Sequence, residues 1–214
     1  MRIIFVRHGQ DDETRRGGWS RYGLQPEGHA QARCTAEYLR QRTDLHIAAI
    51  YASDLVRTME TAAYFADALH LPIQPDAALR EVNNGVLAGM PLEQAQAQYP
   101  GLYFRKLEMD EPFPGGESPR AFFQRIKAWF SQFLAENRDL PGDILIVTHG
   151  GVIKALYALV KNQRWSNQNS TVAADKCSIH ILDVDTMTME VENQTVWHPA
   201  ESNDTQEEFD HVCR

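Results

Sequence analysis

Two histidines in this sequence directly follow short apolar runs. His8, flanked by Arg7 and Gly9, comes after the letters IIFV, and His149, followed by Gly150, comes after ILIV. A neutral imidazole can act as a nucleophile or base near neutral pH, and an arginine fork matches two phosphoryl oxygens. Gly9 leaves room for a ligand to approach the backbone. A single histidine near a strand end usually has only a structural role, but the repeated arrangement indicates a phosphate-handling site.

The predicted strands indicate the fold class. Both apolar runs are typical of strands buried on both faces, and another strand is predicted over residues 47–52. Segments 177–184 and 187–192 are predicted to form an antiparallel hairpin. Strands that alternate with helices predict an α/β domain, a three-layer α/β/α sandwich with a mainly parallel central sheet. Ligands bind beyond the carboxyl ends of such strands, so the two histidines are expected to converge.

Helical spacing of apolar residues predicts the connecting helices. One covers residues 27–42, and the next begins after Ser53 as its N-cap, which places Arg57 near the start of that helix. A short helix is predicted over 91–99, and a longer one begins after the N-cap Ser118. The loops over residues 10–25 and 99–116 are expected to determine specificity, because loops on a rigid scaffold commonly carry recognition.

Length, composition and charge exclude several classes of protein. The 214 residues, 43% hydrophobic and 23% charged, predict one globular domain over 1–200 and an acidic tail over 201–214. A net charge of -8 opposes binding to nucleic acid or to anionic membranes, and it favours a small-molecule partner. No segment has the pattern of a signal peptide or membrane span, so a cytoplasmic location is expected. The three cysteines lack paired spacing and are expected to be reduced.

Further motifs occur in a fixed order along the chain. SDLVRT contains Arg57, LRE contains Glu81 and precedes Gly85 and Gly89, PGGES covers 114–118, and VTHGGV covers 147–152. With the first Arg-His-Gly, this ordered set resembles the histidine phosphatase superfamily, also called the phosphoglycerate mutase-like family. The resemblance covers most of the chain and implies a phosphoglycerate mutase-like fold. It also implies a set of catalytic residues: Arg7, His8, Arg57, Glu81 and His149.

The resemblance implies covalent catalysis without a metal or cofactor. His8 would attack phosphorus and carry the phosphoryl group, while Arg7, Arg57 and His149 would stabilise its oxygens. Glu81 would protonate the leaving group and then activate the hydrolytic water. The phosphate-binding set is Arg7, Gly9, Thr14, Arg57, His149 and Gly150. Thr14 stands where many members of the family have asparagine. The expected reaction is hydrolysis of a small phosphomonoester, and the expected partner is a small phosphorylated metabolite.

Alternative functions remain open at this point. Phosphoglycerate mutases of this family usually carry an insertion that is missing from the short stretch 99–114, which favours a phosphatase. A noncatalytic phosphate-binding protein could keep the same fold. A metal hydrolase could use the histidines and the acidic run 11–13, although neighbouring arginines would repel a cation.

Simpler structural roles compete at three positions. Arg57 could be a surface residue paired with Glu60 or Glu81, and Glu81 could be a solvated loop carboxylate or an ion-pair partner of Arg80. The acidic run 11–13 would place negative charge beside the site entrance, or it could be a solvated loop.

Overall fold

The central sheet has the strand order β3-β2-β4-β1-β5-β6. The computed structural model describes residues 1–168 and 172–198. The strands are β1 (Arg2–Arg7), β2 (Ile47–Ala52), β3 (Ile73–Pro75), β4 (Asp143–Thr148), β5 (Ile179–Asp183) and β6 (Thr188–Gln194). β3, β2, β4 and β1 pair in parallel, whereas β5 and β6 add an antiparallel hairpin. The mainly parallel sheet and the terminal hairpin confirm the predicted α/β fold.

Helices cover both faces of this sheet. The helices are α1 (Pro26–Gln41), α2 (Val56–Leu69), α3 (Leu92–Gln98), α4 (Pro119–Glu136) and α5 (Gly150–Val160). The short helix α3 packs in a separate small core, and the other four pack on the sheet. Leu39 of α1 and Phe65 of α2 are buried in the core on one face. Phe122 of α4 and Leu156 of α5 are buried in the core on the other face. The layers are therefore α/β/α, as predicted.

The alternation of side chains in β1 explains why both faces must be covered. Ile3 and Phe5 belong to the core beneath α4 and α5, whereas Ile4 and Val6 belong to the core beneath α1 and α2. All four side chains are fully buried. Successive residues of a strand point to opposite faces, so a continuous apolar run requires a helical layer on each side. This double burial fixes the strand end that carries Arg7 and the following His8.

The helix starts agree with the sequence prediction in one case and differ in another. Ser118 caps α4 by accepting a hydrogen bond from the Ala121 amide at 3.2 Å. Ser53 does not cap α2, whose N-cap is Leu55 with no side-chain cap hydrogen bond. The predicted cap at Ser53 is therefore wrong. The Ser53 hydroxyl lies 2.9 Å from Nε2 of His149, so it pairs with that histidine and does not cap the helix.

Three expectations concern the cysteines and the chain as a whole. Cys177 is a buried free thiol, but Cys34 is not free, so the expectation of reduced thiols is wrong at Cys34. Spacing along the chain excludes only local pairings between cysteines. Cys213 and the predicted acidic tail over 201–214 lie outside the described residues. Within residues 1–168 and 172–198, no helix has the length and apolar character needed to cross a membrane.

Candidate active site

The two histidines leave the sheet side by side. β1 and β4 are adjacent parallel strands in which Arg7 pairs with Thr148. The residue that follows β1 is His8, and the residue that follows β4 is His149. The ring centroids of His8 and His149 lie 5.1 Å apart, and both side chains are buried. The predicted convergence of two strand-end histidines is therefore present in the structure.

The hydrogen bonds of His8 assign its tautomer. Nδ1 lies 2.8 Å from the carbonyl oxygen of Gly9, which can only accept, so Nδ1 carries the proton. Nε2 consequently has the lone pair and accepts a hydrogen bond from Nε of Arg57 at 3.3 Å. Burial, followed by the positive charge of Arg57, lowers the pKa of His8 well below its ordinary value. The imidazole is neutral at neutral pH and presents a nucleophilic nitrogen towards a cation.

Arg57 is a buried residue at the centre of the site, with only 2% of its surface exposed. Its Nη2 lies 3.2 Å from Nδ1 of His149, and Nη1 donates to the hydroxyl of Ser20 at 3.2 Å. The alternative of a surface residue paired with Glu60 or Glu81 is wrong, because Arg57 is buried. Glu60 accepts a hydrogen bond from the Leu24 amide, and Glu81 accepts from two backbone amides. α2 begins at Val56, so its first turn fixes the guanidinium between the two histidines.

His149 is held from two sides. Its Nδ1 faces Arg57, a donor, so Nε2 carries the proton and donates to the Ser53 hydroxyl at 2.9 Å. Burial is the main cause that lowers the pKa of His149 well below its ordinary value, with Arg57 next. His149 is therefore a second neutral imidazole beside the same guanidinium.

Arg7 has an unsatisfied donor. Its Nη1 donates to the carbonyl of Ala174 at 2.6 Å, whereas its Nε is buried and has no hydrogen-bond partner among the described residues. A Cβ at Gly150 would lie 3.5 Å from that Nε. Buried donors are nearly always paired in native proteins, so this orphan nitrogen indicates a place for an anionic ligand.

The Glu81 side chain lies beside the N-terminus of α5. Its Oε2 accepts from the Gly151 amide and its Oε1 from the Val82 amide, both at 2.9 Å. A Cβ at Gly151 would lie 2.2 Å from Glu81 Oε1, so glycine makes room for the carboxylate. Pairing of Glu81 with Arg80 does not occur, because Arg80 binds Asp54 instead. The carboxylate is thus free of a cationic partner on its own loop, and its negative charge acts on Arg57.

The loop that carries Glu81 is anchored by one side chain of α4. Arg125 donates to the carbonyl oxygens of Ala78 at 2.7 Å, Arg80 at 3.0 Å and Glu81 at 3.2 Å. It also forms an ion pair with Glu117 at 2.8 Å. The sequence does not reveal this anchor, because the three carbonyl groups that accept from Arg125 lie more than 40 positions away in the chain.

Two of the predicted phosphate ligands have other partners. The Gly9 amide donates to the Thr61 hydroxyl at 3.1 Å, and a Cβ at Gly9 would lie 2.5 Å from the Gly28 carbonyl oxygen. The small size of Gly9 therefore serves close packing against α1. Thr14 is exposed, and its hydroxyl donates a hydrogen bond to the Asp12 carboxylate at 2.6 Å. Within the described residues, Thr14 makes no contact with His8, so the structure does not bring it into the cluster.

Two further charged residues lie at the site: Asp11, from the acidic run that was expected beside the site entrance, and Lys176, which was not predicted. Asp11 Oδ2 is 3.5 Å from Nε of Arg57, and Asp11 Oδ1 accepts a hydrogen bond from Lys176. The Asp11 side chain is only 14% exposed and that of Lys176 only 13%. The alternative of a fully solvated acidic loop is therefore wrong at Asp11, which points inward.

A cleft of about 390 Å³ adjoins the cluster. Arg7 and Glu81 line its inner end, and Lys154 adds a cation from α5. Phe104 and Trp165, whose ring centroids lie 6.2 Å apart, contribute an apolar wall. The cleft can therefore accept an organic group attached to an anion that is held by Arg7.

Comparison with known proteins agrees with this geometry. The model of the histidine phosphatase superfamily (branch 1) matches residues 3–196. The chain belongs to this superfamily. As a histidine phosphatase superfamily member, it is 28% identical to phosphoserine phosphatase 1 of Hydrogenobacter thermophilus over 164 residues, 73% of this chain and 74% of the relative. It is also 28% identical to a 2,3-bisphosphoglycerate-dependent phosphoglycerate mutase of Brucella canis over 162 residues, 72% and 78% of the two chains.

Solved structures of the superfamily share the fold. A mycobacterial glucosyl-3-phosphoglycerate phosphatase aligns with a TM-score of 0.73 and 27% identity, covering 91% of this chain and 99% of its own. A putative alpha-ribazole-5'-P phosphatase of Escherichia coli aligns with a TM-score of 0.79 at 22% identity, covering 91% and 96%. The second likeness bears on the fold alone. The predicted phosphoglycerate mutase-like fold is thus confirmed.

Proposed function

We propose that this superfamily member is a phosphatase that hydrolyses a small phosphomonoester through a phosphohistidine on His8. The observation that carries the proposal is the arrangement of a neutral His8, with its Nε2 lone pair facing Arg57, beside the orphan Nε of Arg7. A nucleophile and unsatisfied cationic donors are what phosphoryl transfer requires. Two similar proteins that are named phosphatases support the same reaction.

The first step is attack by His8. Nε2 forms a bond to phosphorus as the ester oxygen departs, and the proton stays on Nδ1, which donates a hydrogen bond to the Gly9 carbonyl oxygen. Arg57 moves its hydrogen bond from Nε2 to a phosphoryl oxygen, and Arg7 donates its unpaired Nε to a second one. His149 stabilises the third oxygen by moving the hydrogen bond of its Nε2–H from the Ser53 hydroxyl to that oxygen. Arg57, His149 and Nε of Arg7 are buried, so their electrostatic effect on the phosphoryl group is stronger than it would be in water.

Glu81 acts in the first step and again in the second. As an acid, the carboxyl group donates a proton to the departing alkoxide, which leaves as an alcohol. As a carboxylate, it then removes a proton from the water that attacks phosphohistidine and releases inorganic phosphate. The position of Glu81 at the start of α5, beside Gly151 and the cleft, suits both transfers.

The proposed substrate is a small phosphorylated metabolite. The phosphoryl group would lie among Arg7, Arg57 and His149, while its organic part would occupy the cleft beside Phe104 and Trp165. The net charge of -8 disfavours a nucleic acid partner. A location in the cytoplasm remains a prediction from the sequence.

Phosphoglycerate mutase activity is the second candidate, and the similarity to the Brucella canis mutase favours it. A mutase would keep the phosphohistidine and return the phosphoryl group to a bound intermediate, whereas a phosphatase admits water. Interconversion of 3-phosphoglycerate and 2-phosphoglycerate, assayed with and without 2,3-bisphosphoglycerate, separates the two reactions. Mutase turnover that exceeds phosphate release would replace the phosphatase proposal.

The experiment that tests the proposal measures phosphate release from a panel of phosphomonoesters in the presence of EDTA. The native protein should remain active, because no step passes through a metal, and His8→Ala should be inactive. His46→Ala is the control, since His46 is an exposed histidine. Activity of His8→Ala equal to that of the native protein would contradict the mechanism. Loss of native activity on adding EDTA would contradict metal independence.

A further inference from the structure

Asp11 and Lys176 form a buried ion pair against the phosphoryl-binding residues. We propose that Lys176 is an additional phosphoryl ligand, and that Asp11 is an internal anion that competes with the phosphoryl group for Arg57 and Lys176. The inference rests on the proposed function, because it takes the ligand of the site to be a phosphoryl group. It extends the site to residues that the family motifs do not include.

The backbone around Lys176 is fixed to the strand end that carries the nucleophile. Arg7 donates to the carbonyl of Ala174 at 2.6 Å, and the Cys177 amide donates to the carbonyl of Arg7 at 3.1 Å. The segment before β5 is therefore bonded to the last residue of β1 on both sides of Lys176. This attachment directs the ammonium group towards the cluster, where its side chain is only 13% exposed.

The charge of Lys176 reaches both imidazoles of the site. It is one of the positive charges that lower the pKa of His8 and of His149. The pKa of Lys176 is itself lowered, first by burial and then by Arg7, while Asp11 acts in the opposite direction. Lys176 and Arg7 are thus close enough to each other and to the two neutral histidines to affect their pKa values. This concentration of positive charge favours the binding of an anion.

In the structure, the anion that contacts Lys176 and Arg57 is the Asp11 carboxylate. One of its oxygens accepts from Lys176 and the other lies 3.5 Å from Nε of Arg57, so the carboxylate bridges two cations. A phosphoryl group needs the same donors, and two adjacent anions repel each other at short distance. The contact between Asp11 and Arg57 must therefore be lost when the phosphoryl group binds. This competition lowers the affinity for phosphate and favours release of the product.

The proposal predicts changes of opposite sign for the two members of the pair. Asp11→Asn removes the competing charge, so the Kd for inorganic phosphate and for orthovanadate should fall about tenfold. Lys176→Met removes a ligand, so the same Kd should rise about tenfold, and Lys176→Arg should restore most of the binding. A pair with only a structural role would make both Asp11→Asn and Lys176→Met weaken binding.

The experiment is isothermal titration of the full-length protein with inorganic phosphate and with orthovanadate. Glu13→Gln is the matched control, because Glu13 also lies 3.6 Å from Lys176 but is 67% exposed, and its Kd should stay within about twofold of native. Thermal unfolding checks that each variant is folded. Weaker phosphate binding by folded Asp11→Asn would overturn the inference, whereas the proposed function would still stand if the native protein hydrolyses phosphomonoesters. A native protein that neither binds phosphate nor hydrolyses esters would overturn the proposed function itself.

Discussion

At the scale of single residues, the site depends on proton positions that the hydrogen-bond partners assign. The Gly9 carbonyl accepts a hydrogen bond from Nδ1–H of His8, and the Ser53 hydroxyl accepts one from Nε2–H of His149. The sequence predicted both histidines from their positions after apolar strands. It could not predict Ser53 as a partner, because that contact joins residues 96 positions apart.

The role of Glu81 as a proton donor predicts a dependence on the leaving group. Glu81→Gln keeps an oxygen for the Gly151 amide but cannot transfer a proton. We expect kcat for alkyl phosphates to fall by about 10²–10⁴, with a much smaller effect on the phosphorylation step with p-nitrophenyl phosphate, whose leaving group needs no proton. Pre-steady-state release of p-nitrophenol measures that step. Equal losses for both ester classes would contradict the acid role.

At the scale of elements, two contacts between elements hold the catalytic residues in place. The end of β1 approaches α1 so closely that glycine is required on both sides, at Gly9 and Gly28. The loop that carries Glu81 is anchored to α4 by Arg125. The apolar periodicity of β1, α1 and α4 predicted these elements within a few residues of their observed bounds. Periodicity does not encode how closely two elements approach, so neither contact was predicted.

The close approach of β1 and α1 can be tested with Gly28→Ala. The added Cβ would lie 2.2 Å from the carbonyl oxygen of Gln10, which is a backbone atom and cannot move alone. We expect the free energy of unfolding to fall by about 1–3 kcal/mol in urea titrations, with reduced kcat because His8 shifts. Gly17→Ala is the control, since no atom lies within 4 Å of its added Cβ, and it should change stability by less than about 0.5 kcal/mol.

The anchoring by Arg125 predicts a loss of acid catalysis when that side chain is replaced. Arg125→Met removes one donor from three backbone carbonyls and the cation that pairs with Glu117, so the Glu81 loop should lose its fixed position. We expect kcat for alkyl phosphates to fall at least about tenfold, with a smaller loss in the phosphorylation step for p-nitrophenyl phosphate. Arg120→Met, which removes an exposed ion pair from the same helix, should be near native. An equal loss for both esters would indicate general destabilisation.

At the scale of the whole molecule, the sequence predicted the layers better than the site. Continuous apolar runs identified β1 and β4, while β3 was missed because its three residues are partly or fully exposed and show no pattern. The family motifs predicted Arg57 and Glu81, which lie in the cluster. The pair of Asp11 and Lys176 was not predicted, since these residues are 165 positions apart and only the folded chain brings them together.

Buried neutral histidines make the stability of the whole protein depend on pH. His180 is fully buried, and its Nδ1 accepts from the Asn193 amide at 3.2 Å, so protonation would cost this bond. Burial lowers the pKa of His180 to about 4, below the ordinary value of 6.5. The unfolded chain therefore binds a proton first as the pH falls, and stability decreases between pH 6.5 and about 4. His8 and His149 act with the same sign.

The measurement for this prediction is urea unfolding at several pH values. His180 should contribute up to about 3 kcal/mol to the loss of stability across that interval. His180→Asn should lower stability at neutral pH and make the decrease towards acid shallower. A variant whose stability depends on pH as steeply as that of the native protein would contradict the assignment of a neutral His180 in the fold.

The most direct test of the account is to trap the phosphoenzyme. Glu81→Gln mixed with p-nitrophenyl phosphate should accumulate phosphohistidine, because the leaving group departs without an acid while the hydrolytic water lacks its base. Rapid quenching in alkali, followed by peptide mass spectrometry, should place one acid-labile phosphoryl group on the peptide and fragment ions that contain His8. His8→Ala combined with Glu81→Gln should show none. A phosphoryl group on any other residue, or on no residue while phosphate is released, would contradict His8 as the nucleophile.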